Sequence, residues 1–382
     1  MSPGGANFLW SLPRYGDLRH LETTTAARSA SLRYLQQVAQ AADSLSYFGV
    51  LLPAGRSSED TWLVASSLVP VTDRLRFLVS MRPGLLSPIL AARMTASLDR
   101  LSGGRLLINV VTDSGSVESR RGGILDQDAR HAAAREFLVI YRRLLAGKEV
   151  ASNERRAFGE TEKLLIPPLQ DYGPPLYLGE SASAGIDVAA EAVDKYFTWG
   201  GPPARIAEKI AAVSAAAYRK RRRVTFGIRL HVVVRETSEE ARAAADSLVD
   251  HSSAKTVAFS HQLLARIDPA ARQCRVPLHG DRCEKVEISP NLWAGVGLIS
   301  GDGAGTALIG DPRTVAARIA EYQSLGIDTF ILSGYPHLEE AYRFAELVFP
   351  HLRIAEPDLD DLAVGQIAPN SYRAAGTRFG AA

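Results

Sequence analysis

The residues able to do chemistry gather at the ends of short apolar runs. Among these runs, Phe226-Gly-Ile-Arg-Leu-His-Val-Val-Val-Arg-Glu236 is the most informative. Its β-branched and aliphatic residues predict a buried strand. Side chains alternate along a strand, so Arg229, His231, Val233 and Arg235 share one face and Ile228, Leu230, Val232 and Val234 the other. A cation and an imidazole side by side on a buried strand are costly unless an anion answers them. Taken alone, the stretch reads as a structural arginine paired with a carboxylate from a neighbouring strand. The ends of the other runs change that reading. They carry Arg14, Tyr15 and Asp17, then Arg56, Ser58 and Asp60, then Arg82, Asn109 and Thr112, and finally Ser181, Ser183, Trp199, Tyr335 and His337. This is a set of cations, hydroxyls, imidazoles and an indole, with few carboxylates. No His/Asp/Glu cluster has metal-ligand spacing and no Ser/His/Asp order is evident. The inventory suits an anionic ligand, with an organic cofactor supplying the hard chemistry.

The elements that position these residues alternate almost from end to end. Strands are predicted at Asn7 to Leu12, Gly49 to Pro53, Leu75 to Val79, Leu106 to Val111, Leu176 to Gly179, Lys195 to Trp199, Phe226 to Glu236 and Thr329 to Leu332. A run of helical spacing follows nearly every one, as in Tyr34 to Leu45, where Leu35, Val38, Ala42 and Leu45 recur on one face. Eight strands with intervening helices predict a (β/α)8 TIM barrel, in which chemistry sits at the C-terminal ends of the strands. Residues 1–352 form one such domain, with insertions near 113–128, 151–175 and 250–311. Residues 353–382 form a tail, read as a lid or an oligomer contact.

Composition narrows the classes. The chain has 382 residues, 46% hydrophobic and 23% charged, with a net charge of +2. That balance is able to bury a large core and argues against a nucleic-acid or membrane-binding face. No basic-then-apolar leader is visible and no apolar run reaches the ~20 residues that span a bilayer, so a cytoplasmic location is expected. Cys274 and Cys283, with His279 between them, are too few for a structural zinc site and read as free thiols. Gly301-Asp-Gly-Ala-Gly-Thr306 lacks a Walker lysine and reads as a glycine-rich loop. His131, His251, His261 and His351 sit singly on helix-like stretches and read as surface or core positions. The Arg219–Arg223 run ends a helix and reads as a solvated face. Ser181 and Ser183 open a helix, where serine both caps the backbone and helps bind phosphate.

Six stretches carry a specific resemblance: Leu32 to Asp43, Ala96 to Arg105, Phe226 to Glu236, Ile288 to Gly297, Gly305-Thr-Ala-Leu-Ile-Gly-Asp311 and Ser333-Gly-Tyr-Pro-His-Leu-Glu-Glu-Ala-Tyr342. On these the chain resembles the bacterial alkanesulfonate and methanesulfonate monooxygenases of the luciferase-like superfamily, from about residue 7 to 350. The resemblance implies a barrel that uses FMNH2, delivered by a separate NAD(P)H-dependent flavin reductase, together with O2. The reaction it implies breaks the carbon–sulfur bond of an organosulfonate, giving sulfite and a carbonyl product. It places the family's active-site residues on Trp199, Arg229, His231, Tyr335 and His337, and cofactor-binding positions on Asn109, Thr112, His131, Ser181 and Ser183. It also implies a homodimer or homotetramer, with no nucleic-acid or membrane partner and no metal. A sulfonate stays ionised at any physiological pH, which makes a permanently charged arginine its natural partner.

Departures from the family pattern cluster in loops. Arg14-Tyr-Gly-Asp-Leu18 stands where the family has Thr-His-Gly-Asp-Gly, Ser58 replaces a cysteine and His131 a tyrosine. Leu298-Ile-Ser-Gly-Asp-Gly303 loses the family's arginine and gains an acid. Arg14, Tyr15, Ser58 and Asp302 add hydrogen-bonding groups, which predicts a polar sulfonate such as sulfoquinovose as substrate. The alternatives are a C1 to medium-chain alkanesulfonate, or a different luciferase-like flavin or F420 oxidoreductase.

Overall fold

The computed structural model describes residues 5–14, 16–17, 28–55, 58–112, 127–151, 161–179, 183–249, 287–293 and 305–355. In chain order the strands are β1 (Asn7–Ser11), β2 (Gly49–Leu52), β3 (Arg76–Met81), β4 (Leu106–Val110), β5 (Val150–Ala151), β6 (Thr161–Glu162), β7 (Leu176–Gly179), β8 (Lys195–Trp199), β9 (Thr225–Val234), β10 (Glu287–Ser289), β11 (Leu292–Trp293), β12 (Ala307–Gly310) and β13 (Ile327–Ser333). The helices are α1 (Leu32–Ser44), α2 (Thr61–Leu68), α3 (Pro88–Leu101), α4 (Gln127–Leu145), α5 (Ser183–Ala192), α6 (Pro203–Arg219), α7 (Ser238–Val249), α8 (Pro312–Ser324) and α9 (His337–Val348). Eight strands close a parallel ring in the order β1-β2-β3-β4-β7-β8-β9-β13, and β13 returns to β1. The expected (β/α)8 barrel is what forms. No described helix is long and apolar enough to cross a membrane.

Local chemistry starts the helices where the sequence places capping residues. Asp60 accepts from the backbone N–H groups of Trp62 and Leu63, and Asp311 from those of Arg313 and Thr314, with Pro312 opening α8. The outward strand residues, including Ile228, Leu230, Val232 and Val234, pack with the helices into the main core. The inward residues form a separate apolar layer of Leu9, Leu51, Leu78, Leu107, Tyr177, Phe197 and Ile331. Two residues further along the same strands, the period that returns a side chain to the same face, come Ser11, Ser80, Asn109, Trp199 and Ser333. The interior therefore turns from apolar to polar toward the C-terminal ends.

One strand was not anticipated. The stretch 250–311 reads in sequence as a break in the rhythm, yet its end forms β12, which runs parallel to β9 from His231 to Val234. β9 has ten residues while its neighbour β8 has five, so its last residues project past the ring. Unpaired backbone groups there would be costly, and β12 satisfies them. β10 and β11 extend the sheet antiparallel from β12. Beyond α9, Ile354 bridges to Ala6, so the first residues of the predicted tail tie back to the start of β1.

Candidate active site

The wall that carries Arg229 is made where β9 changes partners. β8 pairs with β9 up to Trp199 opposite Arg229, and Gly200 N–H donates to the Arg229 carbonyl at 2.9 Å. The chain then turns away through Gly200 to Pro203. From the next rung, His231 N–H donates to the Thr306 carbonyl at 2.9 Å and β12 takes over the edge. The crossing leaves no room for a side chain at position 200: a Cβ there would lie 2.2 Å from both the Leu230 Cδ2 and the Thr306 Oγ1. Glycine is what lets the two strands hand over within one rung.

Arg229 is 6% exposed and faces the barrel interior. Its guanidinium carbon lies 5.3 Å from the Trp199 ring centroid, and its Nη2 donates to Ser11 Oγ at 3.5 Å. An indole face favours a cation electrostatically and holds a planar guanidinium in place. On the other edge of β9, His231 stands in register with Ser333, whose hydroxyl lies 2.9 Å from the imidazole Nδ1. The His231 ring stacks on Tyr335 with centroids 5.4 Å apart, and Tyr335 meets His337 edge-on at 5.0 Å. Tyr335 belongs to a second, smaller core with Val233, Trp293, Ala307 and Ile309 under α7. The five central residues of the sequence reading thus form two contacting groups, Trp199 with Arg229 and His231 with Tyr335 and His337, joined through β9.

Asn109 closes the floor from the opposite side of the ring. Its Nδ2 donates to Ser80 Oγ at 3.0 Å, and Ser80 in turn donates to the Leu52 carbonyl at 2.8 Å. The buried Asn109 Oδ1 has no hydrogen-bond partner among the described atoms. An unmet buried acceptor costs free energy unless a ligand donor meets it.

Two buried carboxylates border the site, although the strand ends read as poor in acids. Asp17 is 1% exposed and accepts from the His337 backbone N–H at 2.9 Å and faces its Nδ1 at 2.7 Å. The Tyr34 hydroxyl donates to the other oxygen, and Arg28, ion-paired with Glu339, stands 3.9 Å away. Burial alone would raise the Asp17 carboxyl, but the hydrogen bond and charge of His337 and the Tyr34 phenol outweigh it and hold it below the usual carboxylate range. Burial, reinforced by Asp17, pushes the Tyr34 phenol up. Glu340 behaves in the opposite way. Burial raises its carboxyl even though Arg235 and Arg343 lie 2.8 and 2.7 Å from it. The sequence placed Asp17 at a strand end but gave it no role, because its partner lies 320 residues away.

The peripheral residues divide differently. Arg14 Nη2 donates to the Ala54 carbonyl at 2.8 Å, and Ser58 Oγ to the Gly55 carbonyl at 3.1 Å. Both line a cleft beyond the ends of β1 and β2 whose other walls are mostly apolar, including Leu12, Leu35, Leu52 and Val64. Thr112 follows the end of β4 and is half-buried, and His131 is buried on α4. Ser183 is the first residue of α5. Tyr15, Ser181 and Asp302 lie outside the described residues.

Comparison with known proteins places this geometry. The family described as luciferase-like monooxygenase matches residues 10–329. Among solved structures, the riboflavin lyase RcaE, crystallised with modified FMN and riboflavin, superposes with a TM-score of 0.73 at 18% identity, covering 91% of each chain. The long-chain alkane monooxygenase LadA gives 0.71 at 20% identity over 92% of this chain and 91% of its own. The EDTA monooxygenase EmoA from Chelativorans sp. BNC1 gives 0.71 at 17% identity over 94% and 98%.

Proposed function

The chain belongs to the luciferase-like monooxygenase family, and on that premise we propose that it is a two-component sulfonate monooxygenase using FMNH2 and O2. The observation that carries the reading is Arg229, a permanent cation buried over an indole and followed on the same face by His231. Such a cation is suited to an anion that never protonates. The residues fit reduced FMN as well: the Asn109 Oδ1 offers a buried acceptor to a flavin ring N–H, with Thr112 and His131 as further binding positions.

Bound FMNH2 would supply two electrons for the reduction of O2, one oxygen going to the substrate carbon and the other to water. Overall, an alkanesulfonate, O2 and FMNH2 give an aldehyde, bisulfite, water and FMN. In this reading Arg229 holds the sulfonate oxygens, and Trp199 fixes the guanidinium and excludes water from one side. Ser333 fixes the His231 ring through Nδ1. Tyr335 donates its phenolic proton to a substrate or cofactor oxygen, and His337 holds or moves a proton. A separate NAD(P)H-dependent flavin reductase is the partner this chemistry needs, and the chain works in the cytoplasm as a homo-oligomer.

The organic part of the sulfonate divides into two readings. Arg14, Tyr15, Ser58 and Asp302 favour a polar sulfonate such as sulfoquinovose. Against that, Arg14 and Ser58 donate to carbonyls of the loop after β2, and the cleft they line is mostly apolar. That observation favours an alkanesulfonate whose chain lies along the cleft. Sulfite release is to be measured with octanesulfonate, methanesulfonate and sulfoquinovose in the presence of an FMN reductase. Preference for octanesulfonate would support the apolar-cleft reading, preference for sulfoquinovose the polar-loop reading. Absence of sulfite from all three, or turnover with F420 in place of FMN, would overturn the proposal.

A further inference from the structure

We infer that Asp17 is a positioning residue for His337: it holds the imidazole in the tautomer with the proton on Nδ1 and leaves Nε2 as the atom that accepts a proton. The inference rests on the monooxygenase reading only for the claim that His337 acts on the reacting groups. Its tautomer stands on geometry alone. A single oxygen of Asp17 faces both the His337 backbone N–H, at 2.9 Å, and Nδ1, at 2.7 Å, so the ring is fixed in rotation as well as position. The second oxygen accepts from the Tyr34 hydroxyl. An ionised carboxylate can only accept. With three donors aimed at it in a buried site, Asp17 stays ionised, and Nδ1 must therefore carry the hydrogen.

The surroundings fit that assignment from every packed element. From α1 comes Tyr34, whose phenol is pushed up and stays protonated as a donor. Arg28 stands 3.9 Å from the carboxylate and is itself engaged by Glu339 of α9. On the loop between β13 and α9, the Tyr335 ring meets the imidazole edge-on, with His231 stacked beyond it. A carboxylate–imidazole pair of this form is the arrangement that turns histidine into an oriented base. A mere strut between the first loop and α9 would not need the ring nitrogen, since the backbone N–H already supplies a contact.

Long-range proton–nitrogen correlation spectra of histidine-labelled protein test this without flavin or sulfonate, with His337→Gln identifying the signal. At a pH where the imidazole is neutral, wild-type protein is expected to show the Nδ1-protonated pattern. The Nε2-protonated pattern would overturn the inference. Asp17→Ala is expected to move the signal toward the Nε2-protonated form and Asp17→Glu to bring it back, whereas an unchanged tautomer in Asp17→Ala would sink it. Should Asp17→Ala fail to fold, Tyr34→Phe replaces it. That variant leaves the Asp17–His337 contact in place and must keep the Nδ1-protonated form, and loss of that form would count against the inference. In the coupled assay the Asp17→Ala loss is expected in kcat, by about 100-fold, rather than in KM. A correct tautomer with no sulfite from any sulfonate would leave the dyad standing and reject the proposed substrate class.

Discussion

The apolar layer of the barrel interior and the polar layer above it are built by the same strands, two residues apart. Below, Leu9, Leu51, Leu78, Leu107, Phe197 and Ile331 fill the ring, with Tyr177 as the one hydroxyl-bearing member. Above, Ser11, Ser80, Asn109, Trp199, Arg229, His231 and Ser333 present donors, acceptors and a charge. The lower layer closes the barrel and keeps water from reaching the site through its floor, which strengthens each polar interaction above it. A single strand thus serves stability at one position and chemistry at the next position on the same face. The two are separable by mutation.

The largest expected effect lies in the lower layer. Leu107→Ala should cost about 3–5 kcal/mol, because a filled ring collapses poorly around a void. Urea unfolding measures this, and kcat per folded molecule should change little. Arg229→Met should do the reverse, lowering sulfite release by about 10²- to 10³-fold, or roughly 3–4 kcal/mol. Its unfolding midpoint should hold or rise, since removing a buried cation removes its desolvation cost. If Arg229→Met lost as much stability as activity, the upper layer would be structural after all.

A smaller effect, spread over both layers, is expected at the strand crossing. Gly200→Ala puts a Cβ against Leu230 and Thr306, and forcing them apart should cost about 1–3 kcal/mol. Because the same shift displaces the rung holding Arg229 and His231, kcat should fall together with stability. The smallest effects concern pH. The Asp17 carboxyl lies below its ordinary value in the folded chain, so its contribution is full above the unfolded value near ~4 and is lost as pH falls through the folded one. Asp17→Asn should flatten the acid limb of a stability–pH curve. Glu340 lies above its ordinary value, so stability declines as pH rises from the unfolded value through the raised one. Glu340→Gln should remove that decline, and the two variants should tilt the curve in opposite directions.

The parts of this arrangement legible in the sequence were those with a local period. The alternation in Phe226–Glu236 put Arg229 and His231 on one face, and the strand and helix runs placed Trp199, Tyr335 and His337 near the same mouth. β12 was missed because four residues between a glycine-rich stretch and Asp311 show no period, and their strand exists only because β9 outruns β8. The contact of Asp17 with His337 was missed for a related reason: nothing local marks a pairing between the first loop and the last helix. The reading of Arg14 and Ser58 as groups awaiting a substrate counted their donors correctly. It had no means of knowing that Ala54 and Gly55, in the loop after β2, accept from them.

The change of partner at Gly200 also assigns the two sides of the chamber to different stretches of chain. Arg229 is held by β8 and β13, both part of the closed ring, whereas Tyr335 leans on Val233, Trp293 and Ile309, two of which come from the sheet extension. Drift in the residues between α7 and α8 can therefore remodel one side while the ring keeps its register. For protein engineering that segment is an exchangeable cassette. Grafting it from a homologue should alter what the chamber admits and leave the barrel to fold as before.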